Sequence, residues 1–260
     1  MKRMTDSLAG VVLAAGAGRR LLPLSRVRPK ALCPVGNVAL VDHAVGRLGP
    51  LLDGLGAVAV NLHHGAARLD AHLAPQLHRS FERSEALGTA GALGALAPWL
   101  DGRDVVVTNA DAWFPPDLDL SAFLAGWDRE RIRLLCVREP ARGDFGDLRF
   151  CGVALMPASH VGNLRAEPSG LYEVSWRQEW AANRLDLVVH DGPFIDCGSP
   201  SEYLAANMAA SGGRSVVAPG AVVEVGAELV RCVLWDDAVV RASEGLTNTV
   251  RGENLTLLIR

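Results

Sequence analysis

The sequence has no CxxC pair. Its five cysteines, Cys33, Cys136, Cys151, Cys197 and Cys232, are scattered and odd in number. This spacing argues against a zinc knuckle, a dithiol redox pair or a disulfide framework, and it fits a reducing, cytoplasmic compartment. No apolar run approaches the ~20 residues needed to cross a bilayer, so no membrane association is expected. A positive balance is missing too. The 260 residues carry a net charge of -3, which removes any general attraction to nucleic acid or an anionic surface. The opening MKRMTDSLAGVVLAAGAG has the basic residues, apolar run and small residues of a secretion signal. Its apolar run is short and interrupted by glycine, and Asp6 and Ser7 precede it, so a buried first strand is the better reading.

The chain is 49% hydrophobic, enough for one large domain or a domain with an appendage. Apolar, β-branched runs at Gly10–Ala14, Ala57–Asn61, Asp104–Thr108, Arg131–Val137, Phe150–Met156 and Leu185–His190 read as strands. Between them, Val38–Leu48, Gly65–Leu73, Thr89–Leu96, Leu120–Asp128, Tyr172–Ala182 and Pro200–Ala210 read as helices. This alternation predicts an α/β domain with a largely parallel sheet. The last helix has a start signal: Ser199 as cap, Pro200 in the first helical position and Glu202 completing a capping box.

After Ser211-Gly212-Gly213 the pattern changes. Small residues and valines recur about every six positions, at Val217, Val223, Leu229 and then Trp235, as in a hexapeptide-type left-handed β-helix. The stretch has room for roughly two coils of about eighteen residues. So short a stack must bury its ends on the main domain or on a second subunit, which makes a homo-oligomer through the tail one expectation. An irregular meander is the alternative.

The stretch LAAGAGRRLLPLSRVRPKALCPV, Leu13 to Val35, sets the main question. A strand end is followed by Ala14-Ala15-Gly16-Ala17-Gly18, a loop with almost no side-chain bulk, and then by five basic residues. Such a loop lets backbone N–H groups approach a phosphate or a base. Arg19-Arg20 after Gly18 excludes a Walker A loop, which needs Lys followed by Ser or Thr. Leu21 stands where a dinucleotide fingerprint needs its third glycine, and Pro23 and Pro29 interrupt the helix that fingerprint opens. A nucleoside triphosphate held by an irregular loop, with basic side chains reaching back, remains. Splitting pyrophosphate from it develops charge that a forked guanidinium and a compact ammonium would offset.

Over its whole length this stretch resembles the signature of sugar-1-phosphate nucleotidyltransferases. Further segments carry the same resemblance: Glu85–Leu93 with its LGTAGAL, Asp104–Asp111 with an Asp ending a buried strand, Phe150-Cys151-Gly152-Val153, and Phe194–Pro200 with an Asp before a Gly-Ser-Pro turn. Tight helix packing favours the same small residues as LGTAGAL, and a terminal Asp such as Asp111 also serves as a cap; the residues alone leave both readings open.

The resemblance implies a Rossmann-like nucleotidyltransferase domain over residues 8–210, with a mixed, mostly parallel sheet, followed by a short left-handed β-helix-like tail over residues 214–252. It implies transfer of a nucleotidyl group from an NTP to a sugar 1-phosphate, with Mg²⁺ and release of pyrophosphate. Arg20, Lys30, Asp111 and Asp196 take the catalytic places, and Asp111 and Asp196 would hold the metal. Nucleotide contacts fall to Leu13, Ala14, Ala15, Gly16, Ala17, Gly18, Gly88, Thr89 and Asn109, and a sugar contact to Gly152. GTP and UTP are the favoured nucleotides. The span 150–193 resembles the smaller bacterial members, including those acting on mannose 1-phosphate or N-acetylmuramic acid 1-phosphate.

Two departures stand out. Ala110 replaces the usual glycine before the metal Asp, and Arg138-Glu139-Pro140 stands in for a Glu-Lys-Pro motif whose lysine binds the sugar phosphate. Arg142 and Arg149 are the candidates to substitute, while Arg19, Arg26 and Arg28 read as surface charge or phosphate contacts. The alternatives are a non-catalytic regulatory subunit that binds nucleotide sugar, and a cytidylyltransferase acting on an alcohol phosphate such as phosphocholine. His63-His64, Asp236-Asp237 and Cys197 are set aside as metal ligands or nucleophile, and Trp176 and Trp180 as a packed helix face.

Overall fold

A computed structural model describes residues 8–252 and 254–260. Asp6 and Ser7, which weighed against a secretion signal, lie outside the described residues. The central sheet is built from β1 (Leu8–Leu13), β2 (Val58–Leu62), β3 (His78–Phe81), β4 (Asp104–Asn109), β5 (Arg133–Arg138), β6 (Leu148–Met156) and β7 (Asp186–Val189). Their order across the sheet is β7-β5-β6-β4-β1-β2-β3. All neighbours are parallel except β6, which runs against both β4 and β5. The apolar runs match these strands to within a residue or two, while β3 escapes them. Its sequence, His78-Arg79-Ser80-Phe81, has no buried face to leave a pattern, because it forms the sheet edge.

The main helices are α1 (Leu40–Leu48), α2 (Ala66–His72), α3 (Gly88–Leu100) and α4 (Pro200–Ser211). The sheet has apolar side chains on both faces, as a sheet covered by helices must. Val12, Val58, Val60 and Val106 pack with Val41, Ala44 and Leu48 of α1 and with Leu69 of α2. Val11, Ala59, Val105 and Val107 point the other way, onto Ala90, Leu93, Leu96 and Leu100 of α3. The Ser199 half of the α4 capping box forms, Ser199 Oγ accepting from the Glu202 N–H (3.3 Å), while the Glu202 carboxylate accepts from Ser199 Oγ (2.8 Å) and not from its backbone N–H. The helix expected over Leu120–Asp128 shrinks to Ser121–Leu124, because Gly126 takes a left-handed turn (φ 68°) and Asp128 accepts from the Glu130 and Arg131 N–H groups. Among the described residues no helix is long and apolar enough to cross a membrane.

The tail consists of short strands stacked in parallel pairs. Val216 pairs with Val233, Val222 with Val239, Glu228 with Gly245 and Val233 with Val250, so each partner lies seventeen positions on, one fewer than the expected eighteen. Leu255–Leu258 then folds back antiparallel on Thr249–Gly252. The coil rests on the main domain. Val216, Val233, Trp235 and Val250 share one core with Leu21, Leu24, Cys33, Val35, Leu40, Tyr203 and Leu204. Trp235 is fully buried, donates through Nε1 to the Tyr203 hydroxyl (2.9 Å), and lies under the Arg28 guanidinium (4.7 Å). The Tyr203 hydroxyl in turn donates to the Pro34 carbonyl. Trp235→Ala is expected to cost about 3–5 kcal/mol. A shift of the urea midpoint at constant slope reads it, and a loss below about 1 kcal/mol would show the tail to be loosely attached.

Candidate active site

The glycine loop leaves the C-terminal end of β1, at the rim where α/β sheets bind ligands. A buried polar network positions it. Asn61, at the end of β2, accepts from the Ala14 N–H (2.6 Å) and donates to Glu82 Oε1 (2.7 Å), while Glu82 Oε2 accepts from the Leu87 N–H (2.8 Å). Asn61 is 3% exposed and Glu82 5%. These two side chains tie the glycine loop to the segment leading into α3, and the sequence reading did not include them. Gly18 has φ 61°, and a Cβ there would stand 3.0 Å from the Cβ atoms of both Lys30 and Ser25. Its glycine is therefore required by backbone conformation and by the packing of Lys30. A Cβ on Gly16 would meet nothing within 4 Å.

A cavity of about 220 Å³ opens beside the loop, lined by Leu13, Ala15, Gly16, Asn61, Ala86, Gly88, Thr89, Asn109 and Asp111. Six of the nine expected nucleotide residues thus face one space. Ala14 is buried against Asn61, and Ala17 lines a second cavity of about 370 Å³ with Gly16, Ser25, Arg26, Lys30, His64 and Arg68. Gly18 supports the loop from beneath Lys30.

The LGTAGAL glycines divide between the two readings left open. Gly88 (φ 71°) lines the cavity, and a Cβ on it would stand 2.5 Å from the Ser169 carbonyl oxygen. On Gly91, and on Gly94 just after the motif, a Cβ would meet the backbone of Glu167 and Arg165 at 2.2 and 2.3 Å, so those two are packing glycines. Thr89 Oγ1 accepts from the Leu171 N–H (2.8 Å).

Asp111 and Asp196 come together through a small antiparallel ladder. Ala112–Trp113 pairs with Ile195–Asp196, Asp196 opposite Ala112, and the Cys197 N–H donates to the Asp111 carbonyl (2.9 Å). Each carboxylate already meets cations. Lys30 Nζ donates to Asp111 Oδ2. Asp196 Oδ2 receives Arg149 Nη2 at 3.1 Å and Arg20 Nη2 at 3.5 Å. Burial pushes the Asp196 pKa above the usual carboxylate range, the nearby charge of Asp111 adds to this, and Lys30 and Arg20 pull it back. The two like charges are thus close enough to repel, and a cation between them would relieve that repulsion. Among the described residues no cluster of three or more His, Cys, Asp or Glu side chains forms a metal cage. Two carboxylates suit Mg²⁺, which takes most of its oxygens from phosphates and water.

Three neighbours hold this arrangement. A Cβ on Gly198 would stand 2.8 Å from Arg20 Nη2, so the guanidinium lies directly on that glycine. Gly152 has φ 91°, and a Cβ there would stand 2.6 Å from the Ala112 Cβ, which explains this glycine by the close approach of β6 to the Asp111 turn. Arg47, on α1, spans the same turn from behind: it donates to Thr108 Oγ1 and to the Ala112 carbonyl, each at 2.5 Å, and stacks over Phe114. Burial lowers the Arg47 pKa to about 10, so it stays charged at neutral pH. Ala110 fits where the family has glycine because its φ is not positive, and its N–H donates to the Leu13 carbonyl (3.0 Å).

The remaining residues fall away from this centre. His63 Nδ1 bonds to the Glu82 carbonyl (2.7 Å), and Asp237 sits in a left-handed turn (φ 66°) of the tail. Trp176 is buried edge-on against Phe150, while Trp180 stays 41% exposed beside Phe145. The Cys197 thiol is fully buried and pushed up by that burial, which leaves it inert as a nucleophile.

N-acetylmuramate alpha-1-phosphate uridylyltransferase of Caulobacter vibrioides is 29% identical over 230 aligned positions, covering 75% of this chain and 94% of that protein. Among solved structures, the mannose-1-phosphate geranyltransferase of Thermus thermophilus superposes with a TM-score of 0.70 at 18% identity, over 97% of this chain and 95% of that one. A putative glucose-1-phosphate thymidylyltransferase of Bacillus anthracis, in complex with sucrose, gives 0.66 at 19% identity, over 78% of this chain and 95% of that one. At such identities the superpositions speak for the fold alone. The MobA-like NTP transferase domain matches residues 10–219, a span that holds the glycine loop, α3 and both aspartates. On that match the chain belongs to the family of MobA-like NTP transferase domains.

Proposed function

We propose that this protein transfers a nucleotidyl group from an NTP to a sugar 1-phosphate, giving an NDP-sugar and pyrophosphate, with Mg²⁺ held by Asp111 and Asp196. The observation that carries the reading is the pairing of these two carboxylates, each already met by a cation, with Asp111 lining the cavity beside the glycine loop. UTP with N-acetylmuramic acid 1-phosphate is the first pair to try, since the Caulobacter relative bears that activity in its name.

In this reading Leu13, Ala15, Gly16, Gly88, Thr89 and Asn109 receive the nucleotide, with the loop backbone close to base and phosphates. Mg²⁺ held by Asp111 and Asp196 would supply positive charge to the reacting phosphates. Lys30 leaves Asp111 for the reacting phosphates, and Arg20 leaves Asp196 for the pyrophosphate as its charge grows. The phosphate of the sugar is itself the nucleophile, so no protein nucleophile is needed. Residues 8–210 form the transferase domain, and residues 214–252 a short left-handed β-helix of seventeen-residue coils. Five buried thiols that form no disulfide suit a cytoplasmic site of action.

The test measures pyrophosphate released with Mg²⁺, the NTPs and dTTP, a panel of sugar 1-phosphates and phosphocholine. Release with a sugar 1-phosphate is expected. Release with phosphocholine alone would establish the cytidylyltransferase alternative, and nucleotide binding without release from any pair would establish the regulatory one. Self-association through the tail is read separately, by light scattering.

A further inference from the structure

We propose that Arg149 is the residue that receives the phosphate of the attacking sugar 1-phosphate, in the role for which the resemblance offers a lysine that this chain lacks. The proposal rests on the transferase reading above.

Lysine occurs only twice in the chain, at positions 2 and 30, and Lys30 is engaged with Asp111. Among the described residues a second cationic side chain for phosphate at the site is therefore an arginine or a histidine. Arg142 is 46% exposed and meets Glu139 and Glu202 only at 3.6 Å. His190 bonds to the Pro193 carbonyl and stands edge-on to Phe114. Arg20 and Arg149 both reach Asp196 Oδ2, but they come from different elements: Arg20 from the segment after the glycine loop, Arg149 from β6. An in-line displacement places the leaving pyrophosphate and the attacking phosphate on opposite sides of the reacting phosphorus. Two guanidinium groups flanking one carboxylate match that division. Arg20, beside the loop, serves the leaving side, and Arg149 serves the attacking side.

Arg149 is also held ready. Its side chain is 14% exposed. Nη1 donates to Glu139 Oε2 (2.8 Å), and the guanidinium lies over the Phe194 ring at 5.6 Å. Those contacts fix its plane. Nη2, at 3.1 Å from Asp196, is the arm that can exchange. Were Asp196 engaged by Mg²⁺, this arm would be free to meet a phosphate oxygen, and guanidinium geometry suits a phosphate. Before substrate arrives the same arm offsets the negative charge of Asp196.

The test uses equilibrium binding without turnover. N-acetylmuramic acid 1-phosphate is titrated calorimetrically into the protein with Mg²⁺ and a non-hydrolysable UTP analogue, for the wild type, Arg149→Gln and Arg149→Lys. The nucleotide analogue is titrated separately. Loss of a charge-assisted phosphate contact should weaken sugar-phosphate binding in Arg149→Gln about 30-fold or more. Nucleotide affinity should stay within about threefold, and Arg149→Lys should recover part of the loss. If both affinities fall by the same factor, Arg149 only positions Asp196 and the proposal is overturned. Unchanged sugar-phosphate affinity in Arg149→Gln overturns it too. A wild type that binds nucleotide but neither this sugar phosphate nor glucose or mannose 1-phosphate overturns the transferase reading itself, an outcome seen before any variant is made. Should Arg149→Gln fail to fold by circular dichroism, Arg149→Met carries the comparison: weaker sugar-phosphate binding at unchanged nucleotide affinity supports the proposal, and unchanged binding of both overturns it.

Discussion

Asp111→Asn is expected to lower pyrophosphate release about a thousandfold, ~4 kcal/mol of lost transition-state stabilisation, while melting stays within a few degrees of the parent. The substitution changes charge and leaves shape alone. The turn that bears Asp111 does not depend on its carboxylate: the Ala110 N–H bonds to Leu13, the Asp111 carbonyl accepts from Cys197, and Arg47 grips the Ala112 carbonyl from behind. The amide still offers Lys30 an oxygen acceptor. Its negative charge is gone, and with it half of the pair that would hold Mg²⁺. Removing one of two repelling charges also costs the fold little. Steady-state rates beside a thermal melt test this. Activity above about a tenth of the parent's would take the metal away from Asp111.

Lys30→Arg keeps the charge and is nevertheless expected to lower kcat/KM about a hundredfold, ~2.7 kcal/mol. The Lys30 side chain is 11% exposed. Its stem runs against the place where a Gly18 Cβ would be, at 3.0 Å from its own Cβ and 3.6 Å from its Cδ. A compact ammonium at the end of a thin stem fits that corridor. A planar guanidinium is wider and longer, and it would meet Asp111 or the phosphates in a different geometry. Arg20→Lys offers the contrast, because Arg20 is 66% exposed at the rim and has room to adjust. A Lys30→Arg protein as active as the parent would mean that position 30 supplies charge alone.

Lys30 also shows how far a single sequence can be read. Its role came into view through the motif around it. A plainer signal was present: one lysine in the whole of residues 3–260, in a chain that otherwise relies on arginine. The strands β1, β2, β4, β5 and β6 were legible because burial on both faces leaves an apolar run, and β7, half-buried at one edge, still carries Leu187-Val188-Val189. The opposite edge strand β3 was not, because His78-Arg79-Ser80-Phe81 holds no apolar run. Asn61, Glu82 and Arg47 were invisible for another reason. Each acts across the fold, Asn61 on Ala14 and Arg47 on Ala112, and nothing local marks a polar residue whose partner lies 47 or 65 positions away. Gly91 and Gly94 were legible as small but not as to why; only the backbone of residues 165–167 lying across α3 decides for packing.

The contact of Trp235 with Tyr203, and of Tyr203 with Pro34, has a consequence for biosynthesis. Pro34 stands four residues after Lys30, in the stretch that shapes the basic side of the site; its partner Tyr203 enters the chain 169 residues later, and Trp235, which holds Tyr203, another 32 after that. During translation the N-terminal portions of a protein fold first as they emerge. Here the strands β1, β2 and β4 can pair early, whereas the segment holding Lys30 waits for the coil to arrive. The site is therefore completed late on the ribosome, and comparing nucleotide binding by chains stalled before and after the coil emerges reads this directly. In that order of events a nascent chain gains nucleotide binding only once the coil has emerged.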